Sequence, residues 1–63
     1  MSSEALGRKR LEDLVNRKYP GDRNNQRLMD SVSDGGASYD QIAEMSDAEL
    51  EELVEMERQY ITR

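Results

Sequence analysis

The sequence contains no cysteine, no histidine, no tryptophan and no phenylalanine, and it has one proline. Without cysteine, a disulfide framework and a thiolate metal site are excluded. Without histidine, the chain lacks the commonest general base and the commonest ligand of transition metals. We therefore predict that the protein is not an enzyme, and we expect no catalytic residue, no cofactor site and no metal site.

The shortness of the chain limits how it can be stabilised. A chain of 63 residues forms at most one domain, and it buries only about 60% of the surface that its unfolded form exposes. Domains of this size usually depend on disulfides, a metal or a partner subunit. Since the first two are excluded, we predict a homo-oligomer, with an unusually tight helical monomer as the alternative.

Long apolar runs are also missing. No run of eighteen apolar residues occurs, so no membrane span is predicted. The N-terminus lacks the apolar stretch of a secretory signal. We therefore expect the protein in a reducing cytoplasm, without contact with a membrane.

Charge is divided unequally along the chain. Residues 1–33 contain seven Lys/Arg and five Asp/Glu, whereas residues 34–63 contain two Arg and nine Asp/Glu. The two halves therefore have net charges of +2 and −7, in agreement with the −5 of the whole chain. Opposite charge lets them attract each other within one chain, or head-to-tail between two chains.

Apolar residues recur at helical spacing, and no alternating run of β-branched residues competes with them. We predict an all-α fold, a small two- to three-helix bundle or hairpin with a long amphipathic C-terminal helix. Ser3 is the expected N-cap of the first helix, Pro20-Gly21-Asp22 a turn, and Asp34-Gly35-Gly36 the end of the second helix. The single domain 1–63 should then contain a helix at about 3–19, a short helix at about 24–33 and a helical region at about 39–61.

Two capping boxes lie eight residues apart in the third segment. Ser38 is followed three residues later by Gln41, and Ser46 by Glu49, in the pattern that begins helices. Two helix starts favour a break near Ser46. One continuous helix through Ser46 is the alternative.

The expected core is aliphatic, and one carboxylate falls within it. On a helical wheel Glu57 lies in the middle of the apolar face of the last helix. An isolated buried carboxylate is costly unless it is paired. We predict that this face meets the first helix and that Glu57 pairs there with Lys18 or Arg8; the alternative is that Glu57 reaches solvent at the rim. The expected core comprises Leu11, Leu14, Val15, Leu28, Val32, Ile42, Leu50, Leu53, Val54 and Ile61.

The apolar face of the last helix is wider than a small core requires, so it should leave surface for another chain. We predict that this protein interface is formed by Leu50, Leu53, Val54, Met56, Tyr60 and Ile61, with the outer carboxylates steering association. The alternative is that the outer carboxylates only solubilise the helix.

The stretch GASYDQIAEM (36–45) resembles the first helix of the helix-turn-helix in sigma-factor C-terminal and response-regulator families. The resemblance implies a core role for Ile42 and close packing of Ala43 against a second helix. This chain departs from the pattern afterwards, because Asp47 replaces the glycine of the turn. The next helix carries glutamates where base-reading and phosphate-binding side chains are expected. We therefore consider nucleic acid an unlikely ligand of that helix.

In size, charge and helical style the chain resembles the small accessory regulators that phages and prophages encode, among them lambdoid early-region proteins. The resemblance implies a non-enzymatic protein that acts on host or phage machinery in the bacterial cytoplasm. Our prediction is a regulatory protein that works by protein–protein interaction and self-association, with an unknown host or phage partner. Two alternatives stay open: a DNA-associated regulator that uses the basic N-terminal half, and an acidic decoy of a nucleic-acid-binding protein.

Overall fold

The computed structural model describes residues 2–62, which form four α-helices and one π-helical turn. No strand occurs within these residues, so the predicted all-α class with a long C-terminal helix is confirmed. The helices are α1 (Ser3–Lys18), α2 (Asn25–Ser31), α3 (Tyr39–Glu44) and α4 (Asp47–Ile61), and the π-turn Val32–Gly36 directly follows α2.

The N-cap of α1 is Ser2 rather than the expected Ser3. The backbone N–H of Ala5 donates to Ser2 Oγ at 3.2 Å, so one of the otherwise unpaired donors of the first turn is satisfied. At the other end the chain leaves the helix at Tyr19, because the following Pro20 disfavours helical geometry there. Gly21 completes the turn at a φ of 74°, which glycine adopts without steric cost.

Asp22 prepares the start of α2. Its carboxylate accepts from the backbone N–H of Asn24 at 2.8 Å, and its carbonyl accepts from the N–H of Asn25 at 3.2 Å. The second helix was expected to end at about residue 33, before Asp34-Gly35-Gly36; α2 itself ends at Ser31, and helical winding continues as the π-turn through Gly36. The N–H of Ala37 closes that turn by donating to the carbonyl of Val32 at 2.9 Å.

Both capping boxes are present, and they separate α3 from α4. Ser38 accepts from the N–H of Gln41, and Ser46 accepts from the N–H of Glu49. Met45 and Ser46 have extended backbone, so the helix is interrupted there instead of continuing through Ser46. The polar side chains of the two boxes therefore direct the chain out of one helix and into the next.

One aliphatic core joins all four helices. Eight of the ten expected core residues are at most 5% exposed, whereas Leu53 and Ile61 pack at its edge and are only partly buried. The eight buried residues are Leu11, Leu14, Val15, Leu28, Val32, Ile42, Leu50 and Val54.

The helix that packs most closely on α1 is α3, not the long α4. The two backbones approach so closely that a Cβ at Gly7 would lie 1.8 Å from the carbonyl oxygen of Tyr39. α4 packs mainly on α2 and the π-turn, and touches α1 over a smaller area. The expected pairing of the first and last apolar faces is therefore largely replaced by packing of α1 on α3 and of α4 on α2 and the π-turn. Glycine at position 7 lets α3 occupy the surface of α1.

Arg10 fastens the break between α3 and α4 to α1. Its Nη1 donates to the carbonyls of Ile42 at 2.7 Å and Ala43 at 3.0 Å, and its Nη2 donates to Asp47 Oδ1 at 3.0 Å. A cation is favourable at the negative end of α3 and an anion at the positive end of α4. This arrangement places the start of α4, and hence its outward surface, relative to the rest of the protein.

Candidate functional site

Burial divides the predicted interface into two sets. Leu50 and Val54 are 3% and 0% exposed and belong to the core, so they are removed from the interface prediction. Met56 and Tyr60 are 62% and 71% exposed. The apolar surface left on α4 is therefore narrower than the sequence suggested, because the first half of the helix uses its apolar residues inside the protein.

The remaining surface, which we call the outer face of α4, consists of Glu49, Glu52, Leu53, Met56 and Tyr60. Residues three and four apart lie next to one another on a helix, so these side chains form a continuous strip. The N-terminal part of the strip is acidic and exposed, and the C-terminal part is apolar. The predicted interface residue Ile61 is half-buried and lies to one side of the strip, against the core.

The π-turn supports one edge of the outer face. A Cβ at Gly36 would lie 3.1 Å from Leu53 Cδ1, so the turn backbone and the leucine are in close contact. Leu53 is consequently fixed from one side while part of it stays accessible. The outer face thus has one side chain held by packing and two, Met56 and Tyr60, that extend into solvent.

The carboxylates of α4 differ in their access to cations of this chain. Those nearest α1 are paired: Asp47 lies 3.0 Å from Arg10 Nη2, and Glu55 lies 2.6 Å from Lys18 Nζ. The hydrogen bond that Lys18 donates to Glu55 raises the pKa of Lys18 above its usual value. Within residues 2–62, Glu49 and Glu52 form no salt bridge, although Glu49 accepts from Ser46 in its capping box.

Glu57 does not form the ion pair predicted for it. Its Oε2 accepts from Ser31 Oγ at 2.7 Å, in a partly buried position between α2 and α4. Lys18 is bound to Glu55 instead, and Arg8 is exposed beside the groove between α1 and α2. The prediction was wrong about the partner because α2 lies against the side of α4 that carries Glu57, whereas the end of α1 lies against the side that carries Glu55.

A cluster that the sequence interpretation missed holds the C-terminal part of α4. Arg58 Nη2 lies 2.9 Å from Asp22 Oδ2, and the guanidinium carbon lies 4.0 Å from the centroid of the Tyr19 ring. The N–H of Asn24 and the Arg58 guanidinium lower the pKa of Asp22. Arg58 is the only Lys or Arg between residues 34 and 62, which was the one signal in the sequence that it has a specific partner.

The basic half presents a mixed surface. Of its cations, Arg10 and Lys18 are engaged with carboxylates of α4. The exposed cations of α1 alternate with acidic residues, since Glu12 and Asp13 lie between Lys9 and Arg17. A phosphate backbone approaching α1 would therefore meet both signs of charge.

The residues that the structure describes contain neither a clustered metal site nor a membrane-spanning helix. Within positions 2–62 no three acidic side chains are grouped so that they could hold a metal ion. Over the same residues, no helix combines the length and the apolar character needed to cross a lipid bilayer.

Comparison with known proteins gives no further guide. No protein-family model, no curated protein and no solved structure matches the chain. The burial, charge and contacts of the chain's own residues are therefore the observations that bear on its function.

Proposed function

We propose that the protein is a small non-enzymatic regulator that acts by binding another protein through the outer face of α4. The observation that carries this proposal is the adjacent exposure of Met56 and Tyr60, at 62% and 71%. Methionine and tyrosine are enriched in protein interfaces, where they supply apolar area together with adaptable or polar contacts. Large apolar side chains in the described chain are otherwise mostly buried, apart from Leu6 at 44%.

Exposure of these two residues has an energetic meaning. Burying a large apolar side chain stabilises by roughly 1.5–3 kcal/mol. Met56 and Tyr60 contribute little of this to the fold, because most of their surface faces solvent. A partner that covers both would gain the stabilisation, and α4 is held in place by Leu50, Val54 and the contacts of Arg10 and Arg58, so the face needs little ordering on binding.

Self-association remains part of the proposal, but the structure lowers the affinity that we expect for it. A stable interface buries roughly 800 Å² on each partner. With Leu50 and Val54 inside the core, the outer face offers only a fraction of that as apolar surface. Light scattering at increasing protein concentration tests this part; a monomer mass throughout would remove self-association and leave the protein target.

The DNA-associated alternative has weaker support than a protein partner. Two cations of the basic N-terminal half, Arg10 and Lys18, are engaged within the chain, and the helix that the helix-turn-helix resemblance would send into the groove exposes glutamates. Binding to random duplex DNA at low ionic strength, lost steeply on adding salt, would favour this alternative. The acidic-decoy alternative uses the same outer face and is a special case of protein binding.

Affinity capture from a bacterial lysate tests the proposal. The bait is the full chain, compared with Met56→Glu and with Ala5→Glu, a matched control that adds the same charge to an exposed position of α1, outside the outer face of α4. We expect one specific protein to be retained by the wild type and by Ala5→Glu, and lost with Met56→Glu. Equal circular dichroism and equal thermal midpoints must show that all three chains fold. A partner retained by Met56→Glu would contradict the proposed surface.

A further inference from the structure

We infer that the outer face of α4 docks a basic, amphipathic helix of a different protein. This rests on the proposed function and names the chemistry of the partner. The face spans residues 49 to 60, which at the helical rise corresponds to about 16 Å, or three turns. A partner helix of similar length would place an apolar residue against Met56 and Tyr60, and lysine or arginine one to two turns away against Glu49 and Glu52.

Charge is the first reason for this choice of partner. Glu49 and Glu52 are exposed and form no salt bridge within residues 2–62, whereas Asp47 and Glu55 on the neighbouring side of the helix are satisfied by Arg10 and Lys18. Docking an uncharged or acidic surface would strip water from two carboxylates without compensation. A partner that brings cations avoids this cost and is attracted before contact.

The same charges disfavour a second copy of this chain as the occupant. Each copy has a net charge of −5, so association begins against repulsion. Parallel pairing of two outer faces would set glutamates against glutamates. Antiparallel pairing would set them against the Tyr60 end, where the nearby cation Arg58 is already held by Asp22 and by the Tyr19 ring. A second copy therefore does not supply the missing cations.

The size of the apolar patch sets the expected character of the complex. The two exposed side chains offer accessible surface on the order of 300 Å². This is below the area of a stable permanent interface. The charges must then contribute a substantial part of the recognition. We therefore expect fast, reversible binding that weakens as ionic strength rises, because salt screens exposed charges beyond about 10 Å.

Fluorescence anisotropy with designed peptides tests this inference. The probe is a helical peptide of about 18 residues with leucine along one face and lysine beside it. The comparison peptides are an acidic counterpart, with glutamate in place of lysine, and a basic peptide of the same composition whose leucines are scattered around the helix. We expect the full-length protein to bind the basic amphipathic peptide, with the acidic and the scattered peptides at least about tenfold weaker.

Protein variants separate the face from overall charge. Glu49→Gln with Glu52→Gln should lower affinity about tenfold at low salt, and glutamine preserves the capping box. The matched control, Glu12→Gln with Asp34→Asn, removes the same charge elsewhere and should bind like the wild type. Met56→Ser should weaken binding at every salt concentration. Equal binding of the basic and acidic peptides, or equal loss in the control pair, would overturn the inference.

The two proposals can fail separately. If a captured protein is lost with Met56→Glu but binds independently of salt and of the glutamine pair, the protein-binding function stands and the basic helix is wrong. If sedimentation equilibrium shows a dimer that Met56→Ser abolishes, a second copy occupies the face and the inference is overturned. If no partner is retained in capture and no peptide discriminates, both proposals fall.

Discussion

α3 and α4 follow each other in the chain, begin with the same kind of capping box, and are held in the fold in different ways. α3 has six residues, too few to be stable alone, and it packs backbone-close on α1 across Gly7. α4 has fifteen residues with strong helical preference, and polar contacts fasten it along its length. The short helix therefore depends on tertiary contact for its existence, whereas the long helix depends on it only for its position.

The two helices also differ in their exposed apolar surface: α4 keeps large apolar side chains exposed, and α3 does not. α3 packs on α1, its carbonyls at Ile42 and Ala43 accept from Arg10, and its one fully buried residue is Ile42. α4 needs only Leu50 and Val54 fully inside to be anchored, and its C-terminal half leaves Met56 and Tyr60 exposed. Mutations at α3 should hence affect folding, and mutations on the outer face of α4 should affect binding.

The largest expected effect is at the crossing of α1 and α3. Gly7→Ala should destabilise the protein by about 3 kcal/mol or more, because the new methyl group would overlap the Tyr39 carbonyl. Helix preference alone predicts the opposite, a gain of about 1 kcal/mol. Urea unfolding followed by circular dichroism measures the change. Gly35→Ala is the control, since no atom lies near its Cβ position; a stable Gly7→Ala protein would show that the close crossing is absent.

The next largest effect is expected at Arg10, which connects α1 to the break between α3 and α4. Arg10→Ala should cost about 2 kcal/mol, because it removes hydrogen bonds to two α3 carbonyls and to Asp47. Arg17→Ala, a change at an exposed position of the same helix, should cost less than about 0.5 kcal/mol. Chemical denaturation of both variants provides the comparison. Equal costs would mean that Arg10 does not hold the break between α3 and α4.

A smaller effect is expected where α4 meets α2. Ser31→Ala and Glu57→Gln should show a coupling of about 1 kcal/mol in a double-mutant cycle, as their hydrogen bond is short and partly buried. The same cycle between Lys18 and Glu57 should give no coupling. A coupling of Glu57 with Lys18 and none with Ser31 would restore the pairing that the sequence suggested.

The smallest expected effect is on the pH dependence of stability. The pKa of Asp22 is lowered from its ordinary value of 3.8, first by the N–H of Asn24 and then by Arg58. Its contribution to stability is therefore present above that value and is lost as the pH falls through the lower pKa of the folded state. Asp22→Asn should lose part of this contribution near neutral pH and converge on the wild type in acid. A difference between the two proteins that is independent of pH would contradict the assignment.

Several features of the fold could be read from local sequence, and others could not. The two capping boxes and the spacing of the core residues act within a few positions of themselves, so they identified the break at Ser46 and most of the core. Which helices touch was not readable, and Glu57 received the wrong partner for that reason. Arg58 and Asp22 lie 36 positions apart, and nothing local connects them.

For the candidate site, the sequence indicated the helix but not the face. Helical periodicity groups apolar residues without saying how many the core will use, so Leu50 and Val54 appeared in the same set as Met56 and Tyr60. Which of these side chains are buried and which stay exposed depended on where α2 and the π-turn pack against α4. Which residues of the predicted interface stay exposed could be decided only from their burial in the folded protein.

By itself the sequence determined the helical class, the helix starts and the acidic character of the last helix, because propensity, capping and charge act over a few neighbouring residues. The tertiary structure decided that α3 lies on α1, that Arg10 and Arg58 hold the two ends of α4, and that Met56 and Tyr60 remain outside. These outcomes depend on the approach of segments distant in the chain, which is set by steric fit at Gly7 and by the filling of one small core.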